Sequence, residues 1–376
     1  MYSITKYVGF DVSKEKIAVA VADFGIAPAR FLGLIENSPE KIRKILKRLG
    51  KPEELYVCYE AGVMGYELAR FLKGLGVKCM VVAPSKIPQA PGPKVKTDRR
   101  DAMRLAELLR AGELISVWVP GEDDEALRDL SRARKARKED LKRAKQRVKM
   151  FLLRHGIRKP DGMKAWGEPY RAWLRSIEFP FRATQMAFQE YLIVVEEIEQ
   201  SVRRLELEVH EIATDSPHAP MIKALQALKG VQETAAVTIV AEIGDFTRFS
   251  NPEELMAYAG LVPREYSSGN KTWRGNITKT GSSCLRWILT ECAWSYRYKP
   301  RISRDLMKRM EGLSPHIQAI SWKAQVRLNK KFTKLLIRGK SGSVAVTAVA
   351  RELLGFIWAI ARQVNYEMEG GQGKVA

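Results

Sequence analysis

The stretch YVGFDVSKEKIAVAVA (7–22) decides how the amino-terminal part of the chain folds. Tyr7–Phe10 and Ile17–Ala22 are two runs of β-type residues, and the polar Asp11-Val12-Ser13-Lys14-Glu15-Lys16 between them predicts a hairpin connection. Further along, Pro39–Leu49 has helical spacing through Ile42, Ile45, Leu46 and Leu49. Leu55–Tyr59 is a short buried strand, Gly65–Leu75 a helix and Lys78–Ala83 another strand. This order of two strands, then helix, strand, helix, strand predicts a mixed sheet covered by helices. A Pro-, Gly- and Lys-rich loop, PSKIPQAPGPKVK (84–96), follows. Thr97 is placed to cap a helix running to about Arg110.

Carboxylates fall at telling places in this pattern. Asp11 follows the first strand and Glu60 the third, so both belong at the edge of one sheet, on the same side if the strands are neighbours. Asp98 and Asp101 are three apart on the helix opened by Thr97 and share a face. Taken singly, each acid has an ordinary reading: a β-turn for Asp11, a helix start for Glu60, a first-turn dipole partner for Asp98, and an ion pair with Arg99 or Arg104 for Asp101. Four carboxylates gathered together repel strongly, and divalent cations relieve that conflict. Mg²⁺ takes hard oxygen ligands and keeps positions open for water and phosphate. On these residues alone the chemistry is that of a metal-dependent nuclease or of a degenerate, purely binding relative.

The remainder is helical in pattern and basic. Lys and Arg number 64 against 43 Asp and Glu, a net charge of +21, which points to a polyanionic partner. From Arg128 to Arg158 there are 13 basic and 3 acidic residues. Positions 127, 130, 134, 137, 141, 144, 148 and 151 form a heptad seam interrupted by Arg134 and Arg137. A second seam runs unbroken through Phe188, Tyr191, Val195, Ile198, Val202, Leu205, Val209 and Ile212. The two helices can form a hairpin or pair between subunits. Beyond the turn-rich DSPHAP (215–220), a tight turn at Gly230 between two helices has the look of a helix-hairpin-helix, although Gln232 stands where that motif has its second glycine. YSSGNKTWRGNITKTG (266–281) reads as a polar, Gly-rich, basic loop, and Leu285–Tyr298, Ile317–Ile337 and 344–365 as helices. Cys58, Cys79, Cys284 and Cys292 are scattered, without metal or disulfide spacing, and are expected to be buried thiols of a reducing cytosol. With no signal-peptide pattern and no uninterrupted apolar run of about 20 residues, a soluble cytoplasmic protein is expected.

VGFDVSKEKI (8–17), YEAGVMGY (59–66) and KTDRRDAMRLAELL (96–109) resemble the three acidic motifs of the DEDD-type transposases of bacterial insertion sequences. The likeness continues through FTRFSNPEELMAYAGLVPREYSSG (246–269) and ITKTGSSCLRWIL (277–289), so it covers nearly the whole chain. One departure is Ser282-Ser283-Cys284, where close relatives often have Asn-x-His. The resemblance implies α/β plus all-α architecture: an RNase-H/RuvC-like DEDD metal-binding domain over 1–125, a helical coiled-coil segment over 126–214, and a mostly helical transposase domain over 215–376. It assigns Asp11, Glu60, Asp98 and Asp101 to Mg²⁺ (or Mn²⁺). It assigns a nucleophilic serine to Ser268, with Ser267 as the alternative, attacking a DNA phosphodiester to leave a Ser–phosphate intermediate. Lys271, Arg274, Lys279 and Arg286 are the cations near that serine suited to nucleic-acid phosphate. The implied partners are donor and target DNA, a noncoding bridge RNA as guide, and further copies of the chain, as a homodimer assembling to a tetramer.

Overall fold

The computed structural model describes residues 4–62, 64–88, 97–268 and 271–370, with the side chains of Ser85, 266–268, 271, 272 and 274 left out. It divides into two compact units, Met1–Gly121 and Glu122–Ala376.

The first unit is built on β1 (Lys6–Val12), β2 (Lys16–Asp23), β3 (Arg30–Glu36), β4 (Leu55–Glu60) and β5 (Lys78–Val82), in the spatial order β3-β2-β1-β4-β5. β1, β2 and β3 are antiparallel, whereas β4 and β5 run parallel to β1. The hairpin and the two later strands match the sequence reading. β3 does not: RFLGLIE has no strict alternation, and it forms an edge strand with a register shift at Val19/Ala20 and half-exposed side chains. Helices α1 (Pro39–Leu49) and α2 (Glu67–Gly74) cover one face. There Ile42, Leu46, Leu49 and Leu72 bury Val8, Phe10, Ile17, Val19, Val57 and Tyr59.

The opposite face is lined by the alternate residues, as the period of two along a strand requires. On β2 these are Ala18, Ala20 and Ala22; on β1, Gly9; on β4, Cys58. These are small, with Tyr7 and Tyr56 beside them on the same face, and α3 (Asp98–Ala111) settles directly on them. Ala102 packs with Ala18 and Ala20, Ala106 with Ala22, and the Cys58 thiol meets the Leu105 carbonyl at 3.5 Å. A Cβ on Gly9 would lie 2.2 Å from the Ala102 oxygen and 2.6 Å from the Ala106 nitrogen. Both are backbone atoms that cannot swing aside, so Gly9→Ala is expected to destabilise the unit by about 1–3 kcal/mol. A lowered urea midpoint with an unchanged m value checks this.

The second unit is helical, with one two-stranded sheet. Its elements are α4 (Glu122–Arg154), α5 (Glu168–Arg175), α6 (Arg182–Asp215), α7 (Ala219–Leu225), α8 (Glu233–Ile243), α9 (Pro252–Tyr258), β6 (Pro263–Ser268), β7 (Lys271–Ile277), α10 (Ser283–Ala293), α11 (Arg304–Met310), α12 (Pro315–Ile337) and α13 (Gly342–Met368). α4 and α6 pack antiparallel within the chain. The second seam is buried at every seventh residue, Phe188, Val195, Val202 and Val209, while its intervening positions stay partly open. Of the interrupting arginines, Arg134 reaches Glu206 of α6 at 2.6 Å and Arg137 turns to Asp140 of its own helix at 3.0 Å. At the far end Phe151 stacks on Phe188, ring centroids 5.7 Å apart.

α8 is buried from Ala235 to Ile243 and lies at the centre of the large core formed with α7, α9, α10, α12 and α13. By length and composition alone α13 could cross a bilayer, although, as the sequence reading had it, charged residues interrupt its apolar run. Ten of its residues, from Ala345 to Val364, are buried in this core, and it carries Arg351, Glu352 and Arg362.

Candidate active-site elements

Asp11 lies inside β1, opposite Ala18 of β2, and does not belong to the turn. Glu60 is the last residue of β4. The parallel register pairs Phe10 with Tyr59, so the next residues along, Asp11 and Glu60, come side by side at the carboxyl ends of neighbouring strands. Their faces follow from alternation. Asp11 shares the face of Gly9, and Glu60 shares that of Cys58, which is the face covered by α3.

The direction of α3 brings the other two acids to the same end. Ala102 meets Ala18 and Ala20, and Ala106 meets Ala22, so the helix runs antiparallel to β1 with its first turn at the Asp11 end. That turn is fixed by Thr97, whose hydroxyl accepts from the Arg100 N–H while its carbonyl accepts from the Asp101 N–H at 3.0 Å. Farther along, Glu107 accepts from the Ala29 N–H at 3.0 Å, and Arg110 donates to the Asp23 carbonyl at 3.2 Å and to that of Ala27. Asp98 is exposed, and Asp11, Glu60 and Asp101 are half-buried. Hard carboxylate oxygens reachable from solvent suit a divalent cation. The side chains themselves do not close up: among the described residues, no three acidic, histidine or cysteine groups converge tightly enough to hold a metal ion.

The segment carrying Ser268 departs from its expected loop. It is a hairpin, β6 and β7, in which Ser268 pairs with Lys271, Ser267 with Thr272 and Tyr266 with Trp273. Gly269-Asn270 between the strands is a signal for a two-residue hairpin turn, and it was there to be read. Ser268 thus stands at the tip end of β6, with Lys271 directly across and Arg274 farther down β7.

The base of this hairpin is pinned. The Thr278 and Lys279 N–H groups donate to the Val262 and Gly260 carbonyls at 2.9 and 3.0 Å. Gly260 and Gly281 both have positive φ, and a Cβ on either would come within about 2.2 Å of the Thr280 or Tyr258 oxygen. Lys279 is exposed and holds a left-handed φ of 57°, uncommon for a residue with a Cβ. Arg286 of α10 closes the arrangement, its Nη1 donating to Ala259 O at 3.2 Å, Gly281 O at 3.1 Å and Thr280 O. One nitrogen of this guanidinium is therefore engaged by the protein's own backbone. Arg286→Lys, which keeps the charge but loses the fork, is expected to lower stability by about 1–2 kcal/mol. It should also slow strand exchange without weakening DNA binding, a pairing that parallel binding and exchange assays would reveal.

Sequence reasoning missed the acid beneath this base. Glu242 of α8 is 1% exposed and takes a bidentate pair from Arg132 of α4, at 2.8 and 3.0 Å. Burial pushes its carboxyl pKa up, but the Arg132 and Ser282 hydrogen bonds outweigh it and hold the group below its ordinary value. Ser282 also caps α10 through the Leu285 N–H at 3.1 Å. A second Glu, far past the first turn of the mostly apolar helix ETAAVTIVAEI, was the available signal.

Two transposase family profiles match the chain. A DEDD transposase profile of the IS110 type matches residues 8–157, which include all four acids, and the profile described as the transposase IS116/IS110/IS902 family matches residues 222–307. The protein y4qE of Sinorhizobium fredii, named a transposase, is 48% identical over 96% of this chain and 89% of its own length. The transposase for insertion sequence element IS1533 of Leptospira borgpetersenii is 34% identical over 88% of this chain and 96% of its own. That for IS1328 of Yersinia enterocolitica is 25% identical over 86% and 90%. The fold and these matches define an insertion-sequence transposase, an enzyme that cleaves DNA and transfers strands. The chain belongs to the DEDD-type family of IS110-like elements.

Proposed function

We propose that the chain is a recombinase that cuts and rejoins DNA through a covalent Ser268–phosphate, using an RNase-H/RuvC-like amino-terminal domain as its metal-binding half. The observation that carries the metal-binding half is the register of β1 with β4, which sets Asp11 beside Glu60 on the face that receives the first turn of α3. Asp11, Glu60, Asp98 and Asp101 would hold Mg²⁺ or Mn²⁺. The ion would supply positive charge for the phosphoryl oxygens and a lowered pKa for a coordinated hydroxyl.

The residues of the chain do the rest. The Ser268 oxygen forms a bond to phosphorus as the bond to one sugar oxygen breaks; the serine loses its proton and the departing sugar hydroxyl gains one. Rejoining reverses these changes with a hydroxyl from another strand. Lys271, across the hairpin from Ser268, and Arg274 and Lys279 along the same hairpin would hold DNA phosphates. The net charge of +21 and the basic α4 support a second polyanion, a noncoding bridge RNA that pairs with donor and target. The working assembly would be a dimer that pairs into a tetramer, in the cytoplasm at the nucleoid.

A nicked suicide substrate bearing the element's end tests this reading. It should trap a protein–DNA adduct that requires divalent metal and maps to the Ser268 peptide. Cleavage without an adduct would replace the proposal with a metal-dependent junction resolvase that uses water.

A further inference from the structure

The connection between α4 and α5 folds back over α4 and leaves an open cavity of about 500 Å³. Its walls include Lys142, Lys145, Lys149 and Lys159 together with Trp166 and Tyr170, and no carboxylate lines it. The volume is within the range of sites that bury a small organic ligand. Lys142, Lys145 and Lys149 are spaced three and four apart, so α4 presents them as one row. Among the described residues only Lys145 of these three has an acidic partner, Glu199 at 2.7 Å; Lys142 and Lys149 have none. Lys159 ties down the connection by donating to the Pro160 and Met163 carbonyls at 3.0 and 2.5 Å.

Trp166 is held in place at a conformational cost. Its φ is +63°, a left-handed value that a bulky side chain rarely adopts. Its carbonyl accepts from Arg171 Nε at 3.3 Å, and Arg171 is itself fixed by Glu199 at 2.8 Å. Tyr170 meets the indole edge-on, ring centroids 5.6 Å apart. Lys145 Nζ already stands over the indole, 4.8 Å from its ring centroid, and the Arg171 guanidinium lies 5.8 Å from it, so the aromatic wall meets the row of cations and a base reaching that face takes the place of the Lys145 ammonium. A bare phosphate would leave the aromatic wall unused, and an apolar ligand would leave the lysines unpaired. A planar ring carrying phosphate uses both.

We infer that this cavity binds one unpaired nucleotide of a nucleic-acid strand, its base against Trp166 and its phosphate among Lys142, Lys149 and Lys159. Gln146, also on the wall, offers an amide to the base edge. Stacking on an indole is tolerant of sequence, because every base has a π-face. The inference borrows from the proposed function only the class of polymer. It is independent of Ser268, of the metal and of the guide, so it can fail while they stand.

Equilibrium binding of the full-length chain to short labelled oligonucleotides, without metal, tests it. Single-stranded DNA, single-stranded RNA, an abasic strand of equal length and a duplex serve as probes. Trp166→Ala is expected to weaken binding of base-bearing single strands about tenfold. It should leave the abasic strand and the duplex unchanged, and Trp166→Phe should restore most of the loss. Whichever of DNA and RNA loses more is the strand the site serves. The Lys142→Gln/Lys149→Gln pair should weaken every single strand, abasic included, and reduce the salt slope by about 1.4. An iodouracil-bearing strand should crosslink to the peptide containing Trp166. Unchanged single-strand binding by Trp166→Ala, or an equal loss for abasic and duplex probes, would overturn the proposal. Should Trp166→Ala not fold, the lysine pair and the crosslink decide: an unaltered salt slope, or a crosslink elsewhere, rejects it.

Discussion

Replacing Asp11 by asparagine is expected to abolish DNA strand cleavage, by about two to three orders of magnitude or more, in a chain that still folds. The substitution keeps shape and removes one negative charge. Asp11 sits within β1, where its backbone pairs with Ala18 whatever the side chain. What changes is the charge at the end of the sheet where Glu60 and the first turn of α3 also arrive. Glu60→Gln, Asp98→Asn and Asp101→Asn should show the same pattern. Glu107→Gln is the informative control. It lies on the same helix, but its carboxylate accepts from the Ala29 N–H and anchors α3, so it should cost stability and spare the chemistry. Single-turnover cleavage of element-end DNA, run beside thermal melts, separates the two effects. Cleavage by Asp11→Asn at near wild-type rates would remove the acids from the mechanism.

Ser268→Ala is expected to remove both the covalent adduct and strand exchange entirely, while DNA binding remains. On the proposed mechanism the loss is absolute, because the Ser268 hydroxyl is the bond-forming group, and the one adjacent hydroxyl, that of Ser267, is the competing candidate. Ser267→Ala distinguishes the two serines. Only loss of the nucleophile should remove the adduct, so one substitution should be silent if the other is not. Gel detection of protein–DNA adducts on the suicide substrate, with exchange measured on plasmid pairs, checks both. Exchange by Ser268→Ala at wild-type levels would sink the serine as nucleophile.

Much of the first unit was legible because its residues alternate strictly. The large residues Ile17, Val19 and Val21 and the small Ala18, Ala20 and Ala22 record two faces of one strand, and the same period places Asp11 and Glu60. Thr97 announced the start of α3 through local capping chemistry. β3 was not legible, since an edge strand with half-exposed side chains has no buried face to impose a pattern. The hairpin bearing Ser268 was obscured by its polarity: Ser, Thr, Asn, Gly and Lys read as loop, although Tyr266, Trp273 and Ile277 lie on strands. The pinning by Arg286 and the buried Glu242 escaped altogether, because they join segments far apart in sequence and single-sequence patterns carry no such information.

The α4–α6 pair has a consequence in the dimension of length. Ser131 on α4 is tied to Thr238 in the helical core at 2.9 Å, and Lys149 stands on the same continuous helix. At 1.5 Å of rise per residue the two are about 27 Å apart. That is the length of roughly eight base pairs of duplex DNA, at ~3.4 Å of advance for each. A strand gripped at the tip of such a rod is kept at a set distance from the core where the rod is rooted. Lengthening α4 and α6 together by whole heptads would carry the Lys142–Lys149 row farther from that core.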